Sequence, residues 1–279
     1  MNKEPVYYNE FDPKAADWLR ELILDGLIAY GIVDDRSIID VDYRDLDGYT
    51  QHHFFAGIGG WSYALRLAQW PDSRPVWTAS LPCQPFSTAG KQLGKQDERH
   101  LLPHFLELVK KCKPDTIFGE QVERAIGHGW LDDLQATMEA EGYAVGHCVL
   151  GAHSIGAAHI RQRLYWVADS IGIERTEQGN GCGNEKDARQ AGGVNAYGCE
   201  YESYDWLYCR DGKFRPIESG LKPLVDGVPR GMVHSSDPRN TQEARVMRLK
   251  GYGNAIVPQV AAEFIKTFYD VTQQEQQIA

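Results

Sequence analysis

Phe54-Phe55-Ala56-Gly57-Ile58-Gly59-Gly60-Trp61 is the stretch on which the fold of this chain turns. It closes a segment that reads as a buried strand, Tyr49 to Phe55, and opens a helix expected from Trp61 to Trp70. Strand, glycine turn and helix start, in that order, describe a chain delivered from a sheet to a helix N-terminus. Glycines at such a turn let backbone approach a nucleotide-like ligand closely, and the helix N-terminus favours negative groups such as a carboxylate. Taken alone, the same turn also suits a purely structural bend or a nicotinamide site.

The alternation continues on both sides of this unit. Upstream, Asp12 is a good N-cap and Pro13 suits a first helical turn, so a helix is expected from Pro13 to Leu27, with Leu19, Leu22 and Ile23 on one face. Ser37-Ile38-Ile39-Asp40-Val41 reads as a short strand. Downstream, strands are expected at Pro75–Ser80, Asp115–Gly119, Tyr143–Leu150 and Leu164–Ala168, and helices at Leu101–Lys111, Trp130–Glu141 and Pro258–Phe268. Strands alternating with helices imply an α/β domain whose sheet is mostly parallel, with helices on both faces. The pattern stops between Ser170 and Glu202, where seven glycines interrupt polar residues, as in an insertion, a loop-rich minor domain or a disordered segment.

Length and composition fit one large domain with a small appendage. No apolar run is long enough to span a bilayer and no signal peptide follows Met1, so a cytoplasmic protein without membrane association is expected. Six cysteines lack any C-x-x-C spacing, and no metal site is expected. The net charge is −10, but unevenly placed: residues 1–50 hold twelve acids against five bases, and residues 205–250 nine bases against six acids. Such a bias permits nucleic acid without arguing for it.

Three further motifs carry chemistry. Leu81-Pro82-Cys83-Gln84-Pro85-Phe86-Ser87 follows a strand and opens a polar loop, which places Cys83 to react rather than to pack. Gly119-Glu120-Gln121-Val122 lies at the end of the next strand. In a parallel sheet, ligands sit outside the carboxyl ends of strands, so Cys83 and Glu120 would share one rim, as a thiol with a candidate proton donor. His159-Ile160-Arg161-Gln162-Arg163 precedes another strand, at whose entrance at least one arginine should point inward.

Together and in this order, these motifs resemble the C5-cytosine DNA methyltransferase family. Phe55-Ala56-Gly57-Ile58-Gly59-Gly60 looks like its cofactor loop and Pro82-Cys83-Gln84-Pro85-Phe86-Ser87 like its nucleophile motif. Glu120-Gln121-Val122 is similar to the family's Glu-Asn-Val, and His159-x-Arg161-x-Arg163 to Gln-x-Arg-x-Arg, with Gln121 and His159 the departures. Gly253-Asn254-Ala255-Ile256-Val257-Pro258 matches the family's last motif, so the likeness spans residues 52 to 268.

The resemblance implies a Rossmann-like methyltransferase fold, S-adenosylmethionine as cofactor and duplex DNA as partner. It implies that Cys83 adds to cytosine carbon 6 and that Glu120 bonds ring N3 and the amino group. Arg163 would hold the base O2, with Arg161 supporting, after the base has flipped from the duplex. Phe55, Ala56, Gly57, Ile58, Gly59, Gly60, Trp61, Pro82, Asn254 and Ala255 would line the cofactor, and Gln84, Ser87 and Lys91 the DNA. A tRNA cytosine methyltransferase and an inactive DNA-binding relative are the alternatives.

Family members usually place two more cofactor motifs between the glycine loop and the nucleophile. Only about twenty residues lie between Gly60 and Pro82, enough for one helix and one strand. Upstream, Asn9-Glu10-Phe11-Asp12-Pro13 looks like the ribose motif, and Ser37-Ile38 like the Asp-Ile motif with Ser37 replacing the acid. The expectation is a permuted order, in which Glu10, Phe11, Ser37 and Ile38 complete the cofactor site. The catalytic domain would then be 1–169 with 250–279, and 170–249 a small target-recognition region in which Arg210, Arg215 or Arg230 could read guanine. The compact form resembles phage or prophage enzymes, in monomeric form.

Overall fold

The computed structural model describes residues 5–82, 101–157, 159–170, 204–208, 214–218, 223–225, 228–229, 251 and 253–278. Its centre is a seven-stranded sheet in the order β2-β1-β3-β4-β5-β7-β6. The strands are β1 (Val6–Asn9), β2 (Gly31–Asp34), β3 (Gln51–Phe54), β4 (Val76–Ser80), β5 (Thr116–Val122), β6 (Ala144–Gly151) and β7 (Gln162–Asp169). The first five in that spatial order run parallel, while β7 pairs antiparallel with both β5 and β6. The α/β, mostly parallel reading therefore holds, with a mixed end that contains β7.

Helices α1 (Pro13–Leu24), α2 (Gly60–Leu67), α3 (Leu102–Cys112), α4 (Trp130–Ala140) and α5 (Pro258–Ile278) cover two faces. Side chains alternate across a strand, so neighbours in sequence enter different cores. Ile117 of β5 faces the α3–α4 core with Phe54, Trp77, Phe105 and Leu134, whereas Phe118 faces Trp61, Leu65, Val260 and Ile265 of the α2–α5 core. Tyr7 and Tyr8 divide in the same way, Tyr8 joining Leu19 and Ile28 beneath α1. Gly119 is required by this packing: a Cβ there would lie 2.1 Å from two indole carbons of Trp166. Two further antiparallel pairs, β8 (Tyr204–Tyr208) with β9 (Phe214–Glu218) and β10 (Pro223–Val225) with β11 (Val228–Pro229), fall within residues 170–249.

Two local expectations need correction. Ser37–Val41 is not a strand: Ile38–Asp40 is a 3-10 turn capped by the Ser37 hydroxyl, which accepts from the Ile39 amide at 3.4 Å. The strand lies earlier, at β2, Gly31–Asp34. Glu120 and Arg163 are inside their strands rather than beyond an end or before an entrance. The antiparallel β5–β7 ladder continues to Val122 opposite Arg163 and carries both residues with it.

Candidate active site

The carboxyl ends of β1, β3, β4 and β5 form one rim. At β3 the chain leaves the sheet through Phe55, which adopts the left-handed conformation (φ 53°), followed by Gly57 (φ 57°) and Gly59 (φ 75°). A phenylalanine in that region costs on the order of 1 kcal/mol and persists only where its surroundings impose it. Here β1 imposes it. The Ala56 amide donates to the Asn9 carbonyl at 3.0 Å, and the Gly57 amide to the Glu10 carboxylate at 2.7 Å. Glu10 also accepts from the Asp12 amide at 2.8 Å, so one carboxylate ties the glycine loop to the start of α1. A Cβ on Gly57 would meet nothing within 4 Å, so this part of the loop faces open space.

Other predicted cofactor residues divide between rim and core. Phe11 is 70% exposed beside Glu10. Trp61 and Ile38 are buried, Trp61 donating its indole N–H to the Ser80 hydroxyl at 3.0 Å, so their side chains are packing groups. Ser37 spends its hydroxyl on the turn cap. Ile58 packs near Gly251, and Gly60 lies so close to Ile256 that a Cβ would sit 2.8 Å from its Cγ1. That approach seats the Gly253–Pro258 segment on the N-terminus of α2, with Asn254 exposed and Ala255 half-buried. Asn9, which the motif alone does not mark as structural, donates its buried amide to the carbonyls of Asp34 and Arg36, at 3.3 and 2.9 Å, and holds the turn after β2 beside Glu10.

The second half of the site lies at β5 and β7. Glu120 is 7% exposed and forms an ion pair with Arg163, whose Nε lies 2.8 Å from Oε1. Burial pushes the Glu120 carboxyl up to about 7, against the downward pull of the Arg163 and Arg161 guanidiniums. Arg161, with its backbone at φ 31°, donates through one Nη to the carbonyls of Gly253 and Ala255. It is therefore a brace between this strand entrance and the segment seated on α2. Cys83, Gln84, Ser87 and Lys91 lie outside the described residues; Pro82, half-buried beyond β4, is the last described residue before them. Among the described residues no group of three His, Cys, Asp or Glu side chains is arranged to hold a metal ion. Among those residues no helix is long and apolar enough to cross a membrane.

A buried carboxyl titrating near neutrality beside a guanidinium can give or take a proton on a bound ring. A glycine loop braced by a carboxylate can hold a nucleotide-like cofactor across the same rim. The chain is 33% identical over 100 residues to the type II methyltransferase M.NgoMIV of Neisseria gonorrhoeae, covering 35% of this chain and 32% of that one. It is 37% identical over 101 residues to the type II methyltransferase M.HaeII of Haemophilus aegyptius, covering 35% and 31%. The matched part thus spans about a third of the length of these relatives. The crystal structure of the Dnmt2 methyltransferase of S. pombe overlays on 96% of this chain and 99% of that one at 12% identity, with a TM-score of 0.48, too loose a likeness to carry weight. The family model for C-5 cytosine-specific DNA methylase matches residues 69–180, a segment that holds the Pro-Cys-Gln-Pro-Phe-Ser motif, Glu120, Arg161 and Arg163. Residues 69–180 are therefore similar to the C-5 cytosine-specific DNA methylase family.

Proposed function

We propose that this protein transfers a methyl group from S-adenosylmethionine to carbon 5 of a cytosine flipped out of duplex DNA. The observation that carries the reading is the buried Glu120–Arg163 pair on the rim that the glycine loop also borders. Carbon 5 of cytosine is a poor nucleophile. Addition of the Cys83 thiolate at carbon 6 makes the ring an enamine and raises the electron density at carbon 5. Glu120, held near neutrality, protonates ring N3 as that charge develops, and Arg163 orients the base through O2. After methylation the carbon-5 proton leaves to water, the carbon–sulfur bond breaks to return the Cys83 thiolate, and ring N3 gives its proton back to the Glu120 carboxylate.

The cofactor supplies an electrophilic methyl group, and the residues present fit it. Gly57 opens onto space a ligand can fill, Phe11 offers an exposed aromatic face, and Glu10 stands between them. Glu10 would hold the ribose hydroxyls and Phe11 would cover the adenine. The loop from Phe55 to Gly60, with Pro82, Asn254 and Ala255, would enclose the remainder, with the backbone near Ser37 and Ile38 at the adenine edge.

We further infer that the chain order is permuted: β1 and β2 supply, from the N-terminus, the two cofactor motifs that the family usually places after its glycine loop. The bonds from Asn9 and Glu10 to that loop support this, as does the position of β1 between β2 and β3. Residues 1–169 and 250–279 then form the catalytic domain, and 170–249 the target-recognition region, with Gln84, Ser87 and Lys91 touching DNA.

The test is incubation of purified protein with S-adenosylmethionine and mixed-sequence duplex DNA, followed by quantification of 5-methylcytosine by mass spectrometry. Product is expected with the parent and not with Cys83→Ala. Modification of tRNA in place of DNA, or no product despite cofactor binding, would overturn the reading.

A further inference from the structure

Gln121 departs from the asparagine of the family's motif, and the structure gives it a specific place. The β4–β5 ladder is parallel and ends with Ser80 opposite Glu120. One residue further on, the Gln121 side-chain amide lies between the two chains. Its Nε2 donates to the Leu81 carbonyl at 3.3 Å, and its Oε1 accepts from the Val122 amide at 2.9 Å. The side chain is 1% exposed. A side-chain amide thus links the two chains one residue beyond the backbone ladder. What leaves β4 at this point is Leu81-Pro82, the chain that runs directly into Cys83. A proline at position 82 has no N–H and cannot make its own ladder bond, so the carbonyl just before it is the last place to hold the strand.

We propose that Gln121 is a positioning residue: its amide ties the Leu81 carbonyl, just beyond β4, to β5 and fixes the direction in which the chain departs toward the nucleophile. The claim rests on Cys83 acting as nucleophile, and its chemistry is one of aim. A misplacement of about 1 Å at a nucleophile costs on the order of a hundredfold in rate. Nothing in the claim requires Gln121 to touch base or cofactor.

The test compares the full-length parent with Gln121→Met and Gln121→Glu. Met keeps the length and removes both hydrogen bonds. Single-turnover methylation of duplex DNA should fall at least about tenfold, while S-adenosylmethionine affinity stays within about twofold. The rate of Cys83 alkylation by iodoacetamide, followed by peptide mass spectrometry, should change at least about threefold. Glu keeps the acceptor oxygens but presents a carboxylate to the Leu81 carbonyl until it is protonated. Its methylation rate relative to the parent should therefore rise as pH falls from about 9 to 6. Methylation and alkylation by Gln121→Met both within twofold of the parent would overturn the proposal. Should Gln121→Met lack a cooperative melt, a flat Gln121→Glu ratio across that range overturns it and a rising one supports it. A parent that forms no 5-methylcytosine would sink the functional reading instead, and the alkylation rates would still decide whether Gln121 governs the Cys83 loop.

Discussion

Glu120 holds two roles that pull against each other. Its burial raises the carboxyl to about 7 while Arg163 stabilises the charged form. An unfolded glutamate titrates near ~4.3, so between that value and about 7 the folded chain binds the extra proton. The contribution of Glu120 to stability therefore falls as pH rises through this window and levels off above it, by at most about 1.4 kcal/mol per pH unit. Relative to the parent, the urea-unfolding free energy of Glu120→Gln should rise with pH across the window by up to that slope. Methyl transfer should drop about a hundredfold or more with cofactor affinity retained. An unchanged slope would mean that the carboxyl titrates normally. Phe11 makes the opposite case. With 70% of its surface exposed, Phe11→Ala should shift unfolding free energy by no more than about 0.5 kcal/mol. It should still weaken S-adenosylmethionine about tenfold by calorimetry, because a stacking face is lost. Cofactor binding as tight as the parent's would remove Phe11 from the site.

At the scale of elements, β3 carries two adjacent histidines where strand interiors usually hold apolar residues. His53 donates or accepts at Thr78 Oγ1, 2.7 Å away, and stacks on Tyr8, while His52 meets the Leu46 carbonyl at 2.9 Å. Burial lowers His52 to about 4 and His53 to about 3. Unfolded histidine titrates near ~6.5, so below that value the unfolded chain takes up protons that the native strand refuses. Stability contributed by neutral His53 is present above about pH 6.5 and is lost as pH falls toward its folded value. His53→Gln retains a polar partner for Thr78, and its stability should fall less steeply between about pH 6 and 4, by up to 1.4 kcal/mol per unit. Equal slopes for parent and variant would place the acid sensitivity elsewhere. The same strand shows what sequence could and could not reveal. Phe54 to Trp61 declared a strand, turn and helix because glycine conformations and helical periodicity are local properties. β1 and β2 have only four residues each and lie too close to acids and glycine to show a period. Ile38 and Ile39 looked like a strand, yet one is buried and the other exposed on a capped turn, a distinction only packing makes. Glu120 and Arg163 were legible by type and motif, but their pairing across β5 and β7 depends on an antiparallel register that no local pattern encodes.

For the whole molecule, the proposed permuted order makes a prediction that does not depend on catalysis. Three chain segments meet at the amino ends of the central strands. The Thr50 amide donates to the Pro5 carbonyl at 3.4 Å, and the Gln51 side chain donates to the carbonyls of Pro71 and Arg74 at 3.0 and 3.2 Å. The entrance to β1, the link from β2 to β3 and the exit from α2 are therefore neighbours in space. Residues 5–50 can be excised and reinserted between Asp72 and Ser73 with joints of a few glycines, placing the glycine loop first while leaving the sheet order intact. Short flexible joints add little closure entropy, of the order of 0.6 kcal/mol per doubling of loop length. Contacts inside the sheet and the bonds from Asn9 and Glu10 to the glycine loop are unaffected by which peptide bonds connect the segments. The rearranged chain should melt cooperatively within about 10 °C of the parent and bind S-adenosylmethionine within about tenfold. Glu10→Ala in either arrangement should weaken that binding about tenfold or more, since the Gly57 amide loses its acceptor. A rearranged chain that folds but does not bind would mean that residues 5–50 serve the sheet alone. Unweakened binding by Glu10→Ala would likewise remove the N-terminal strands from the cofactor site and leave the acid for the ribose to be found elsewhere on the rim.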